Sequence, residues 1–236
     1  MKKYSALIVV LALLLGMSVS ADAWVITVGC PHSTATTIQA GVTAANPGDE
    51  VRVCPGTYAG GILVDKAGLK LRAQGPVGAV KIIGTGASGP EFGITVIANN
   101  VSIEGFEIYG FAGVHGASGI FVGGRFAGDT AHQAAWAVIE HNKIHDNGNG
   151  IYLWQSKNTQ ISHNKIYNNK DIDGTMGDVV VLARMPVEIG RGGLRVARLV
   201  EAQDTAPMTE ITGDTFGHNS ADGNMVFDLN WDAVTH

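Results

Sequence analysis

The sequence is short of aromatic residues, which make up 7% of its 236 positions, and it contains only two cysteines and seven prolines. Two cysteines leave room for a single disulfide and for no Cys-rich metal cluster. No run of five or more like charges occurs, which excludes a basic or acidic nucleic-acid tail. After the first two dozen residues no apolar stretch is long enough to span a bilayer. What the chain has instead is glycine, 32 of them, together with many β-branched residues. That combination favours short strands joined by tight turns over a helical bundle.

The N-terminus has the layout of an export signal. Lys2 and Lys3 precede an apolar run from Ala6 to Leu15, and Ala21-Asp22-Ala23 offers a small-x-small cleavage site. Residues 1–23 are therefore expected to be removed, leaving a 24–236 domain that is secreted or periplasmic and does not insert into a membrane. Cleavage removes two lysines and one aspartate, so 14 basic and 20 acidic residues remain. That balance argues against nucleic acid as a partner. In an oxidising compartment the pair Cys30 and Cys54 is expected to form a disulfide, with two free thiols as the alternative.

Residues 34–46, TATTIQAGVTAAN, read as one short helix. Thr36 and Gln39 have the spacing of a capping box, Ile38, Val42 and Ala45 share a face, and Asn46-Pro47-Gly48 ends the element. From there the chain changes to short segments of period 2, such as EVRVCP, GILVD, LKLRA, VKIIG and GITVIA. A longer phrase then repeats: Ile139, Asn142 and Ile144 in IEHNKIHDN return as Ile161, Asn164 and Ile166 in ISHNKIYNN. Ile103 and Ile108 have the same spacing of five, and TEITGDTF repeats it with Ile211 and Phe216, Asp214 standing where asparagine stood. A fixed period of this size is the mark of a stacked repeat. One such repeat holds three short parallel strands and forms one rung of a coil, so Ile should stack on Ile inside it and Asn142 on Asn164 at a corner. The fold class is therefore all-β: a single-stranded right-handed parallel β-helix with a short N-terminal capping helix. Cys30 and Cys54 flank that helix and should pin it to the first rung.

The stretch TIQAGVTAANPGDEVRVCPGTYAGGILVDKAGLKLRAQG, residues 37–75, resembles the opening of pectate-lyase-like right-handed β-helix proteins. The I-x-x-N-x-I and N-x-G-I-x-L units are similar to the parallel β-helix repeat of carbohydrate-active and NosD-like members. The resemblance covers most of 25–170 and returns in 209–230. It implies a β-helix, and it fixes function poorly, because the superfamily mixes lyases, hydrolases, epimerases and non-catalytic members. No catalytic residue of the family can be matched to a position here, so lyase-like or glycoside-hydrolase-like activity is left open. Residues 183–208, with Arg184, Arg191, Arg195 and Arg198, match no rung and read as an excursion from the coil. A solenoid ending at His236 would expose an apolar end, to be covered by further rungs, by 183–208 or by self-association with a second copy.

Several residues are candidates for chemistry. With Ile120, Val122, Ile151 and Leu153 facing the bore, Phe121, Tyr152 and Trp154 should face outward and offer a carbohydrate-binding row; cover by the loop 123–135 is the alternative. His141 and His163 should sit on neighbouring rungs, with His145 near, but two imidazoles lack the third ligand of a metal site, so a corner ladder is expected and no metal. Asp171, Asp173 and Asp178 are spaced loosely like a calcium loop but lack its terminal glutamate, so a polar turn and no cofactor are expected, with calcium as the alternative. Glu104, Glu140, Asp146 and Asp171 read as scattered, with no two in register on adjacent rungs. The functional expectation is an exported protein that binds, and in the enzymatic case processes, an extracellular polysaccharide. The alternative is a non-catalytic surface or structural module. A metal-handling role like that of NosD-like relatives has no Met/Cys-rich copper site behind it.

Overall fold

The alternating segments form strands of two to six residues, too short to be stable except against the next turn of chain. The computed structural model describes residues 23–114, 116–123, 134–154, 156 and 159–169, and the backbone of 179–182, 187–190, 193–196, 215–217 and 220–221. Residues 1–22, with the expected export signal, residues 124–133, the aspartates 171, 173 and 178, Arg184, Arg191, Arg198, Ile211, Asp214 and residues 222–236 lie outside the described residues.

Strand β1 (Val25–Val28) is followed by helix α1 (Ile38–Ala44) and then by the first full rung, β2 (Glu50–Val53), β3 (Gly56–Ala59) and β4 (Ile62–Val64). The next rungs are β5 (Lys70–Ala73), β6 (Val80–Ile83) and β7 (Phe92–Val96), then β8 (Ser102–Glu104), β9 (Glu107–Tyr109) and β10 (Ser118–Gly123). They continue as β11 (Val138–Glu140), β12 (Lys143–His145) and β13 (Asn149–Trp154), then β14 (Gln160–Ser162), β15 (Lys165–Tyr167) and β16 (Val179–Leu182). After a hairpin of β17 (Val187–Gly190) and β18 (Gly193–Val196), the coil resumes with β19 (Thr215–Gly217) and β20 (Ser220–Ala221). The first strand of each rung joins one sheet, the second another and the third a third, so each sheet runs along the coil axis. Pairing between rungs is parallel, as in Ile139 with Ile161 and Ile144 with Ile166. Among the described residues only β17 and β18 pair antiparallel, and they fall in the segment that matched no rung.

The bore is filled by columns of like residues. Leu71, Ile103, Ile139 and Ile161 stack from the first sheet, Ile82, Ile108, Ile144 and Ile166 from the second, and Ile62, Ile94, Ile120 and Ile151 from the third. All are fully buried or nearly so. Each such side chain contributes about 1.5–3 kcal/mol by leaving water. The last rung differs from the repeat read in the sequence: Phe216 pairs with Ile161 and Ala221 with Ile166, so Phe216 occupies the first apolar position of the rung, not the second.

Asparagine organises the corners. Asn142 accepts the Phe106 N–H at 3.0 Å and donates to the Ile103 carbonyl of the preceding rung, while Asn164 Oδ1 accepts both its N–H and its side-chain amide. The next corner repeats the pattern with Asn147 and Asn169. Asn147 accepts the Phe111 N–H and donates to the Ile108 carbonyl, and Asn169 Oδ1 accepts its N–H and amide. All four side chains are buried, so these bonds satisfy bent backbone that no water reaches. The residues beside them have left-handed backbone: Gly105, His141 and His163 at one corner, and Gly110, Asp146 and Asn168 at the other. Glycine adopts this conformation freely, and asparagine, aspartate and histidine are the side-chain-bearing residues that tolerate it best.

Helix α1 closes the N-terminal end of the bore with Ile38 and Val42. Gly41 is required there, because a Cβ would stand 2.5 Å from a Val28 methyl. The capping box is not formed. The helix begins later, with Thr37 as N-cap, its hydroxyl accepting the Ala40 N–H at 3.1 Å. Gln39 turns outward instead. Its Oε1 accepts the Leu63 N–H at 2.7 Å and its Nε2 donates to the Leu63 carbonyl at 3.5 Å. Leu63 lies in β4, the edge strand of the third sheet, so one glutamine amide stands in for the missing neighbour strand. Cys30 and Cys54 form the expected disulfide, tying the chain before the helix to the end of β2. Among the described residues no helix is long and apolar enough to cross a membrane.

Candidate functional site

Residues that alternate with the bore columns point outward and, because the rungs are in register, they too form columns. The third sheet places Phe121 in line with Tyr152. Its ring stacks on Phe92 at 4.7 Å and on Tyr152 at 5.4 Å, and Phe121 is only 6% exposed. The expectation that Phe121 offers a face to a sugar is therefore corrected: both ring faces are covered by its neighbours. Tyr152 is partly exposed. Trp154 lies in the strand, paired with Gly123 and Leu182, but its side chain is outside the described residues.

The second sheet carries a different stack. Tyr109, His145 and Tyr167 are in register, with His145 lying 5.0 Å from the Tyr109 ring and 4.9 Å from the Tyr167 ring, nearly parallel to both. Beside it runs the column Lys81, Glu107, Lys143, Lys165. Glu107 is buried and accepts from Lys143 at 2.5 Å, with Lys81 at 3.8 Å. His145 is held at both nitrogens, Nε2 at 3.1 Å from Glu107 and Nδ1 at 2.7 Å from Asp146. Lys165 is exposed and lies 5.0 Å from the Tyr167 ring centre.

The electrostatics follow from these contacts. Desolvation pushes the Glu107 carboxyl up, but hydrogen bonds from Lys143 and His145 and the charges of Lys143 and Lys81 outweigh it, leaving Glu107 below the usual carboxylate range. The hydrogen bond to Glu107 raises the Lys143 ammonium above the usual lysine value against desolvation, and further contacts with Tyr167 and the Glu107 charge add to it. Both groups therefore stay ionised across neutral pH. Contacts at both nitrogens and the two flanking phenol rings hold the His145 imidazole in place. Three lysines against Glu107 and Asp146 make this face locally cationic on a chain that is acidic as a whole.

The first sheet holds a third column: Thr27, Arg52, Arg72, Glu104, Glu140 and Ser162. Glu104 and Glu140 are register partners on adjacent rungs, which corrects the reading of these carboxylates as scattered. The long rung between them, with the chain offset at 36 residues instead of 22, hides the match from a fixed-period search. Arg72 meets Glu104 at 2.6 Å. His141, at the adjoining corner, stacks on His163 at 5.0 Å, the corner ladder expected from their spacing.

The Lys143, His145 and Glu107 cluster was not anticipated. Its signal lay in the repeat itself, since Lys143 and His145 return as Lys165 and Tyr167 in the doubled phrase.

Residues 77–185 match the family model described as a right handed beta helix region. No curated protein matches the sequence. Among solved structures the chain is similar to an alginate lyase from Paenibacillus sp. str. FPU-7, with 16% identity over 68% of this chain and 58% of that one, and a TM-score of 0.49. It is also similar to a pectin methylesterase mutant in complex with a hexasaccharide, with 12% identity over 68% of this chain and 65% of that one, and a TM-score of 0.42. A pectin methylesterase from Aspergillus niger matches with 14% identity over 66% of this chain and 56% of that one, and a TM-score of 0.40. The chain thus spans less than two thirds of the length of each. The repeating three-sheet coil, with the family match over 77–185, shows the fold to be a right-handed parallel β-helix.

Proposed function

We propose that this is an exported protein that binds an extracellular polysaccharide along the outer face of its second sheet. The observation that carries the reading is the pair of registered columns there, the ring stack Tyr109, His145, Tyr167 and the charged row Lys81, Glu107, Lys143, Lys165. The rings cover one another's faces, so they present edges bearing two phenol hydroxyls, while the lysines present ammonium donors. A row of donors and acceptors at the rung repeat suits a linear polymer of hydroxyl-rich units laid along the coil axis. Tyr152 and Trp154 on the neighbouring sheet would extend the contact area. Export is supported by the Cys30–Cys54 disulfide, a bond that persists in oxidising compartments.

The test is a glycan array followed by affinity electrophoresis in gels containing the polysaccharides retained. Binding that falls at least tenfold in both Tyr109→Ala and Tyr167→Ala, with unchanged circular dichroism, supports the proposal. A folded protein that retains no polysaccharide, or binding indifferent to both substitutions, overturns it. Appearance of unsaturated product absorbance would replace binding with lyase activity.

A further inference from the structure

We propose that Glu104, Glu140 and His141 form a binding site for a divalent first-row transition-metal cation, best matched by Zn2+. The three donor atoms lie within 4.8 Å of one another on the outer face of the first sheet and its adjoining corner. Two carboxylates and one imidazole are a donor set that suits zinc, with a water completing the coordination. Donors around a bound zinc lie about 3.5 Å apart, given metal–ligand distances of about 2.1 Å. Rotation of the partly exposed Glu140 side chain covers the remaining approach.

Three observations point to a ligand here. Parallel registry stacks Glu104 directly against Glu140, a like-charge pair that repels unless a cation intervenes. Arg72 neutralises Glu104, but Glu140 meets no lysine or arginine among the described residues; its side chain lies 4.0 Å from His141 Nδ1. Independently, Ser162 is the next residue of the same column, in register with Glu140. Its residue is 6% exposed, and its Oγ has no hydrogen-bond partner within the protein. A buried hydroxyl left in that position is a natural acceptor or donor for metal-bound water. Arg72 would then hold Glu104 in place from behind, as outer groups do around metal ligands. The stack of His163 on His141 fixes the imidazole's orientation.

Equilibrium dialysis of the untagged protein against Zn2+ in a non-chelating buffer tests the site. His141→Asn suits the left-handed backbone at that corner, and Glu140→Gln keeps the side-chain volume. One Zn2+ per chain is expected, with affinity falling tenfold or more in each variant. Co2+ in place of Zn2+ should give visible absorption that both variants lose. Circular dichroism of the metal-free proteins shows that each variant is folded, and Glu104→Gln replaces either one that is not. Absence of stoichiometric Zn2+ binding overturns the site. So does stoichiometric binding that survives either substitution.

Discussion

On the third sheet, Phe121 lies between the rings of Phe92 and Tyr152, and on the second sheet His145 lies between Tyr109 and Tyr167. The geometry is the same in both, because parallel rungs in register stack whatever side chains they share. The chemistry at the ring edges differs. The third-sheet stack is built largely of phenylalanine and buries apolar area, while the second-sheet stack carries phenol and imidazole groups and borders the lysine and glutamate row. Stacking alone therefore says little about function. What separates a packing column from a recognition column is the polarity of the edges that face solvent.

The comparison is broken most severely at the corner between the two sheets. Asn147→Leu removes the side-chain partner of the Phe111 N–H and of the Ile108 carbonyl, both in buried positions, and leaves Asn169 Oδ1 with the backbone N–H alone. It should cost about 3–5 kcal/mol, from about 1–3 kcal/mol per stranded group, and loosen both stacks together. A denaturation midpoint close to that of the parent would show that the corner ladder does not set the register.

Phe121→Ala should cost about 3 kcal/mol, at the lower end of the range for a buried phenylalanine, because Phe92 and Tyr152 can partly close the gap. Polysaccharide binding should survive, since the substitution lies on the packing column. Denaturant unfolding and affinity electrophoresis on the same preparation separate the two effects.

Acid should act on the second-sheet column and spare the third. The Glu107 carboxyl is depressed in the folded protein, so its contribution is present above the unfolded carboxylate value of about 4.3 and is lost as pH falls through the lower folded value. Lys143 is raised, so its contribution is present below about pH 10.4 and is lost as pH rises through the higher folded value. Glu107→Gln should therefore flatten the stability profile on the acid side and leave it unchanged in shape near neutrality. Thermal midpoints measured from pH 3 to pH 8 would reveal an unflattened profile if the ion pair contributes nothing.

The smallest stability effect belongs to the recognition column itself. Tyr167→Ala removes a partly exposed ring and should cost about 1 kcal/mol or less, in line with one aromatic contact. A loss as large as that at Phe121 would show that both columns are packing devices.

The fold was legible because its information is periodic. Ile139, Asn142 and Ile144 specify bore, corner and bore again, and a single repetition suffices to show the rung. Asn147 and Asn169 close the same two phrases and carry the second corner in the same way. Where the period slips, legibility fails: Glu104 and Glu140 face each other across a rung lengthened by a loop, and Phe216 takes a phase five residues from the one its spacing suggests. The outward columns were harder to read for a physical reason. Alternation tells which side chains face out, but not whether ring neighbours cover them, and that decided between Phe121 and the polar stack. Gln39 shows a further limit, since its partner Leu63 is remote in sequence and local capping rules point elsewhere.

The disulfide lies at the beginning of the chain in time as well as in space. Synthesis proceeds from the N-terminus, and N-terminal units fold first. Cys30 and Cys54 are both present before any of the later rungs, so β1, α1 and β2 can be joined while the remainder is still emerging. The bonded cap then offers the first sheet a finished strand edge in β2, and each new rung has a template of fixed register on which to add. A repeat protein whose successive turns are nearly interchangeable needs such a starting point, because nothing in a uniform stack distinguishes the first turn from the second. In this molecule the covalent bond supplies that origin, and the coil counts outward from it.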